Sequence, residues 1–303
     1  MSANGVSVIC TVRDEERHVR EALSSALADL VTEVVVVDDG STDATADVLQ
    51  RIAAEDRRVR VVTLSAVGRG VALRTAMREV RGDLIVNIDA DDAIHPDWIR
   101  LGTALLASHP SLAVVAASPQ YITGDETARW PHIECGPMIR DVTSHLAFYN
   151  PIVHSSAVMR RPLVEAVGGY EATRRFQFDY DLWIRLARAG WRLGVVNVPM
   201  VAKRLHDGQK FERGHRVAYL LSSVITQAQA IRTVGGGTLA WATIGGRLLW
   251  GVVPRPIRML VRRSLIGRLR APRRQPARRQ RGAELVSMGR AGVASASKRL
   301  IQR

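Results

Sequence analysis

Leu84–Asp92 reads L-I-V-N-I-D-A-D-D, an apolar run that ends in three carboxylates, Asp89, Asp91 and Asp92. A continuous run of Leu, Ile and Val without alternation predicts a strand buried on both faces, as in a parallel sheet. The carboxylates then emerge at its C-terminal edge, where open α/β sheets bind ligands. Carboxylates this close repel one another unless a cation or donor hydrogen bonds compensate. A hard divalent ion shared with the phosphates of a nucleotide is one compensation. A solvated turn or a helix cap is the other, since Asp is common in both.

Outward from this stretch, strand and helix alternate. Val6–Val12 is a β-branched run, and apolar residues at Val19, Leu23, Ala26, Leu27 and Leu30 then recur at helical spacing. Val34–Val37 predicts a second strand, ending in D-D-G-S-T-D at Asp38–Asp43. Ser41 or Thr42 is expected to cap a helix carrying Val48, Leu49 and Ile52. Val59–Leu64 reads as a strand, Gly68–Gly70 as a turn and Val71–Val80 as a helix; Pro96 opens another helix, and Leu112–Ala116 is a further strand. The expected architecture is α/β: a Rossmann-like, mainly parallel sheet flanked by helices, with right-handed crossovers. Its strand ends bring Thr11–Arg13, Asp38–Gly40 and Asp89–Asp92 to one rim. There a carboxylate can accept from a pyrimidine N–H or ribose hydroxyls, although Asp38 and Asp39 also read as turn chemistry. Arg69 and Arg74 can face a diphosphate or simply solvent.

Charge is unevenly spread. The net +14 of the 303 residues comes from the end of the chain, where Pro254 onward carries 15 Arg or Lys against Glu284 alone. Any nucleic-acid or membrane partner therefore concerns that tail. Cys10 and Cys135 offer neither a disulfide framework nor metal-ligand spacing. The chain does not open on a signal-peptide pattern, so a cytoplasmic location is expected. The longest apolar run, Thr238–Val253, is broken by Gly245, Gly246 and Arg247 and falls short of the ~20 residues of a membrane span.

Four runs taken in order, S-V-I-C-T-V-R-D-E-E (Ser7–Glu16), V-V-V-V-D-D-G-S-T-D (Val34–Asp43), G-R-G-V-A-L-R (Gly68–Arg74) and I-D-A-D-D (Ile88–Asp92), resemble the nucleotide-binding half of family 2 glycosyltransferases. The resemblance extends from about Val6 to about His206. It implies the GT-A fold and inverting transfer of a sugar from a nucleotide-diphosphate donor, with a divalent metal, Mn or Mg. Carried over residue by residue, it makes Thr11, Arg13, Glu15, Asp38, Asp39, Arg69, Arg74, Asp89, Ala90 and Asp91 donor contacts. Asp38 and Asp39 take the base and ribose; Asp91 takes the metal, with His206 of K-R-L-H-D-G completing that site. Val12 stands where many members carry an aromatic residue that stacks on the base. UDP is the favoured nucleotide, with GDP and dTDP open.

Phe178–Gly190, F-D-Y-D-L-W-I-R-L-A-R-A-G, reads as an amphipathic helix with Leu182, Leu186 and Ala189 on one face and Gly190 as its stop. Asp179 at its start can merely complement the helix dipole. The segment is also similar to the family's E-D-x-D-L-W-x-R-L motif, which implies that Asp179 is the general base, with Phe178 in place of the usual Glu.

The expected division is a catalytic domain over 1–234, made of a nucleotide-binding half (1–117), an acceptor half (118–210) and a closing helix (211–234). In the acceptor half Trp130–Arg140 reads as irregular and Asn150–Pro162 as strand-like, followed by a short helix closed by Gly168 and Gly169, and His154 reads as a satisfied core histidine. Residues 235–270 form an amphipathic basic segment, and 271–303 are expected to be disordered. Leu248, Leu249 and Trp250 beside Arg247, Arg255 and Arg258 suit an anionic membrane surface engaged through 238–269, peripheral on the inner face of the cell membrane. That placement fits a glycan or lipid-linked acceptor in cell-envelope or exopolysaccharide synthesis. The competing reading is a nucleic-acid-binding protein acting through its Arg-rich tail on a non-catalytic α/β domain, against which stand the few aromatics for base stacking. A nucleotidyltransferase would need a Gly-rich, Lys-containing signature near the N-terminus, which this sequence lacks.

Overall fold

Among the described residues, nine strands form one sheet in the order β3-β2-β1-β4-β8-β6-β9-β5, with β7 paired to β9. These are β1 (Val6–Val12), β2 (Val31–Asp38), β3 (Val59–Thr63), β4 (Leu84–Asp89), β5 (Ala93–Ile94), β6 (Leu112–Thr123), β7 (Ile139–Asp141), β8 (Val158–Arg160) and β9 (Arg192–Leu205). The helices are α1 (Val19–Ala26), α2 (Thr45–Glu55), α3 (Arg69–Glu79), α4 (Trp98–Ser108), α5 (Arg161–Ala166), α6 (Phe178–Arg188), α7 (Arg216–Val234) and α8 (Gly237–Val252). The structure, a computed structural model, describes residues 5–130, 138–205 and 216–253.

The apolar runs form strands because they are covered on both sides. Val8, Cys10, Val34, Val36, Val86 and Ile88 pack with Leu23 of α1, Leu49 of α2 and Trp98 of α4. Their sequence neighbours Ile9, Val35, Val37 and Ile85 pack on the other face with Leu73 of α3 and Leu182 and Trp183 of α6. Alternate side chains of a strand point to opposite faces, so a run such as Val34–Val37 needs two layers of helices to bury it. Each buried valine contributes roughly 1.5–3 kcal/mol of transfer free energy.

The chain runs outward from β1 through β2 to β3, then returns to place β4 on the other side of β1, all parallel. The strand order reverses between β1 and β4, and the C-terminal ends at such a reversal are where sheets of this kind bind ligands. Beyond β4 the sheet is mixed. Short β8 runs antiparallel to both β4 and β6, and β9 is parallel to β6. The ends of β1, β4 and β9 therefore reach the same rim.

Three sequence expectations are corrected locally. Ser41 and Thr42 do not cap α2, which starts at Thr45 with Ala44 as its N-cap residue; both are held by carboxylates of the rim loops instead. Leu30 lies beyond the end of α1 and is 44% exposed. Within Asn150–Pro162 only Val158–Arg160 is strand, because His154–Ser156 turn as a 3-10 helix beneath the rim.

The chain through Gly251 forms one compact unit. Within it, α7 is tied to the body by Gln227, whose Nε2 donates to the carbonyls of Ala147 (3.3 Å) and Phe148 (3.2 Å) and to Oγ1 of Thr243 in α8 (2.7 Å). Helix α8 exposes Leu239, Trp241, Leu248 and Leu249. No helix among the described residues is long and apolar enough to cross a membrane.

Candidate active site

The loops after β1 and β2 lock into one another. Asp14, at φ 56°, accepts the N–H of Thr42 (2.8 Å) and its hydroxyl (3.1 Å). Glu16 accepts the N–H of Ala44 (2.9 Å), while Asp43 accepts the N–H of Glu16 (3.3 Å). The N–H of Glu15 donates to Oγ1 of Thr45 at 2.8 Å. The acidic residues of R-D-E-E thus build the rim, and Arg13, with 46% of its side chain exposed, projects from it.

Each of the paired aspartates after β2 has a distinct task. Asp38, buried and opposite Val12 in the register, accepts both the N–H (3.0 Å) and the hydroxyl (2.6 Å) of Ser41 on one oxygen. Asp39 accepts the backbone N–H groups of Val67 (2.7 Å) and Gly68 (2.9 Å), one on each oxygen. It thereby fixes the turn that delivers Arg69, the first residue of α3.

At the crevice Thr11 is paired across the sheet with Asp89. One carboxylate oxygen from each of Asp89, Asp91 and Asp92 lies within 4.8 Å of the others, with Ala90 buried between them. Such hard oxygen donors fit Mn or Mg. Arg69 Nη2 donates to Oδ1 of Asp89. Lys203 Nζ, from β9, lies 3.5 Å from the other oxygen of Asp89 and 2.9 Å from Oδ2 of Asp92. Burial works against the charge on Asp89, but Arg69 and Lys203 more than offset it and hold its pKa well below the usual carboxylate range. Asp92 is pushed upward by burial and by Asp89 and Asp91, against the pull of Lys203.

Asp92 accepts the backbone N–H of Arg204 at 2.9 Å. The Arg204 guanidinium, 1% exposed, donates to the carbonyls of Asp91 (3.0 Å), Gly124 and Glu126 (3.0 Å) and to Glu21 of α1 (2.7 Å). Arg204 therefore clamps the acidic loop to three other segments.

A buried polar chain runs behind Asp89. Asn87 Nδ2 donates to His154 Nδ1 (3.1 Å) and to the His154 carbonyl (3.3 Å), and His154 Nε2 contacts the Tyr170 hydroxyl at 2.7 Å. With Nδ1 accepting, Nε2 carries the proton. Burial lowers the His154 pKa, although Asp179 and Asp89 pull it back up.

Asp179 enters from α6, whose preceding residue Gln177 is held in the left-handed region at φ 58°. A non-glycine residue there is strained by roughly 1–3 kcal/mol and tends to mark a site whose geometry is imposed by its surroundings. Asn150 Nδ2 donates to Oδ2 of Asp179 at 2.7 Å, and Oδ1 has no hydrogen-bond partner among the described residues. Asp89 and, less strongly, Asp179 raise the pKa of Arg69, which puts the start of α6 within electrostatic reach of that guanidinium. Two residues on, Asp181 is a strut instead, bridging Arg174 (2.6 Å) and Arg185 (2.9 Å).

The family profile described as "Glycosyl transferase family 2" matches residues 7–168, more than half of the 303-residue chain. The chain belongs to glycosyltransferase family 2. Among curated relatives, an uncharacterized glycosyltransferase of Haemophilus influenzae is 26% identical over 67% of this chain and 66% of its own length. Chondroitin synthase of Escherichia coli is 30% identical over 57% of this chain, which spans only 24% of that enzyme. Among solved structures, S. aureus TarS 1-349 in complex with UDP-GlcNAc superposes with a TM-score of 0.62 at 16% identity, covering 80% of this chain and 71% of that one. The mannosyltransferase PcManGT from Pyrobaculum calidifontis, in complex with GDP-Man and Mn2+, gives a TM-score of 0.56 at 21% identity, covering 88% and 81%. The nine-stranded sheet flanked by helices is thus the GT-A architecture.

In this family 2 glycosyltransferase, the rim gathers Thr11, Asp38, Arg69, Asp89 and Asp91, and Asp179 lies within electrostatic reach of Arg69. Arg74 is exposed on α3, within electrostatic reach of Glu171. His206 falls outside the described residues. Sequence reading missed Asn150, Lys203 and Arg204. The one available signal for the last two was a cationic pair ending the apolar run V-P-M-V-A, which reports a strand end carrying charge.

Proposed function

We propose that this enzyme transfers a sugar, with inversion, from a nucleotide-diphosphate donor to a hydroxyl of a glycan or lipid-linked acceptor. The observation that supports the reading is the acidic cluster after β4, with Arg69 bonded to Asp89 and Asp179 within electrostatic reach of Arg69. Inverting transfer needs a base on the acceptor side and charge stabilisation at the leaving group. Asp179, oriented by Asn150, takes the proton of the attacking hydroxyl. Asp91, with His206, holds the divalent metal, Mn or Mg, which when bound stabilises the departing diphosphate, and Asp89 beside it faces the ribose or sugar. Arg69 adds a positive charge beside it, and Asp38 with Thr11 and Arg13 lines the base and ribose end.

UDP is the favoured nucleotide; the TarS neighbour holds a UDP-sugar and PcManGT a GDP-sugar. A role in cell-envelope or exopolysaccharide synthesis is supported by the relatedness to chondroitin synthase and to the succinoglycan biosynthesis protein ExoA of Rhizobium meliloti. We place the reaction at the inner face of the membrane. The exposed apolar residues of α8 and the Arg-rich sequence after Pro254 support contact with anionic lipid through 238–269. Flotation with vesicles of anionic lipid, but not of neutral lipid, tests that attachment; equal recovery with both contradicts it.

The test of the chemistry is Asp179→Asn, assayed with UDP-sugars and a lipid-linked acceptor pool. Turnover should fall while donor binding persists; undiminished turnover removes Asp179 as the base.

A further inference from the structure

Lys203 occupies an unusual position for a strand-end lysine. Its ammonium lies between two of the three clustered carboxylates, 2.9 Å from Asp92 and 3.5 Å from Asp89. An amine held between two carboxylates at these distances is a cation. Its backbone cannot drift, because β9 pairs with β5 directly after the acidic loop and the next residue is the buried Arg204. Arg69 takes the opposite oxygen of Asp89. Among the described residues, Arg69 and Lys203 thus set two positive charges against Asp89 and Asp92.

We propose that Lys203 is a positioning residue that makes divalent-metal binding conditional on the nucleotide diphosphate. The inference rests on the reading of Asp91 as a metal ligand. A divalent ion approaching the protein alone meets the ammonium across a carboxylate pair already neutralised, and like charges at such range repel. A diphosphate restores the negative charge that both cations need. Metal and nucleotide then bind as a coupled pair, and by linkage each raises the affinity of the other by the same factor. The arrangement would keep the empty enzyme from holding metal in a form that obstructs donor entry.

The experiment is titration of the full-length protein with MnCl2, followed by the electron paramagnetic resonance signal of unbound Mn2+, with and without UDP. Wild type should bind Mn2+ at least about tenfold more tightly with UDP. Lys203→Met, which keeps the stem and removes the charge, should bind Mn2+ alone at least about tenfold more tightly than wild type, and the UDP-dependent ratio should shrink towards one. Lys203→Arg should restore the ratio. A Lys203→Met protein that keeps the wild-type ratio overturns the inference while leaving the metal site intact, since a strut for Asp92 would change melting temperature alone. If wild type binds no Mn2+ even with UDP, the metal reading itself fails along with the inference. Should Lys203→Met not fold, Lys203→Gln carries the same comparison.

Discussion

Asp179 and Asp181 are two residues apart on the first turn of α6, yet their carboxylates engage different partners: Asp179 meets the amide of Asn150, and Asp181 lies between Arg174 and Arg185. Successive acids on one helix turn cannot share a face, so one reaches the crevice while the other turns into the protein. Asp181 fixes the helix end, since Arg174 also bonds Thr226 of α7 (3.1 Å) and Arg185 reaches the carbonyls of Val167 and Gly169.

The two acids should therefore fail differently. Asp179→Asn is expected to lower kcat by about 100-fold or more with little change in melting temperature. Asp181→Ala leaves two half-buried guanidinium groups without their shared acceptor and should cost about 2–3 kcal/mol of stability. Thermal melts alongside activity assays separate them; equal melting losses would put both acids in the same structural role.

Gly70 packs against the segment that leads into α6. A Cβ there would lie 2.6 Å from the Arg174 carbonyl and 3.0 Å from that of Ala172, both backbone atoms. Gly70→Ala should cost about 1–3 kcal/mol and weaken UDP binding, because the helix end carrying Arg69 must shift. Denaturant unfolding and nucleotide titration read both effects, and a variant as stable as wild type would show the contact to be looser than described.

His154 should remain neutral, protonated on Nε2, at pH 6.5. Burial depresses its pKa below the unfolded value of about 6.5. The neutral form is thus preferred in the fold, and this contribution to stability is complete above pH ~6.5 and is lost as pH falls through the lower folded value. Nitrogen-15 imidazole spectra distinguish the tautomers directly. An imidazolium signal at that pH, or a proton on Nδ1, would contradict the hydrogen-bond chain from Asn87 to Tyr170.

The parts of the fold legible in the sequence are those whose burial is local and uniform. Strands β1 and β4 stand out because helices cover both faces, so Val6–Val12 and Leu84–Asp89 carry apolar residues almost throughout. Strand β9 was not legible: Gly194, Asn197 and Pro199 interrupt it, its exposure varies along its length, and it pairs on one edge with a strand of only two residues. The acidic motif was equally visible as residues but not as an arrangement. Lys203 and Asp92 are 111 positions apart, and only the β5–β9 pairing brings them together. Asp39 illustrates the same limit, for its carboxylate positions the turn before Arg69 through backbone groups that no residue pattern announces.

Calorimetric titration with UDP, GDP and dTDP, each with and without manganese, on wild type and Asp91→Ala, tests most directly whether the crevice at β1 and β4 is a nucleotide-diphosphate site. Binding of one nucleotide that requires manganese and is lost in Asp91→Ala is the predicted result. No binding of any of the three by a folded wild-type protein, or binding indifferent to Asp91, would contradict it.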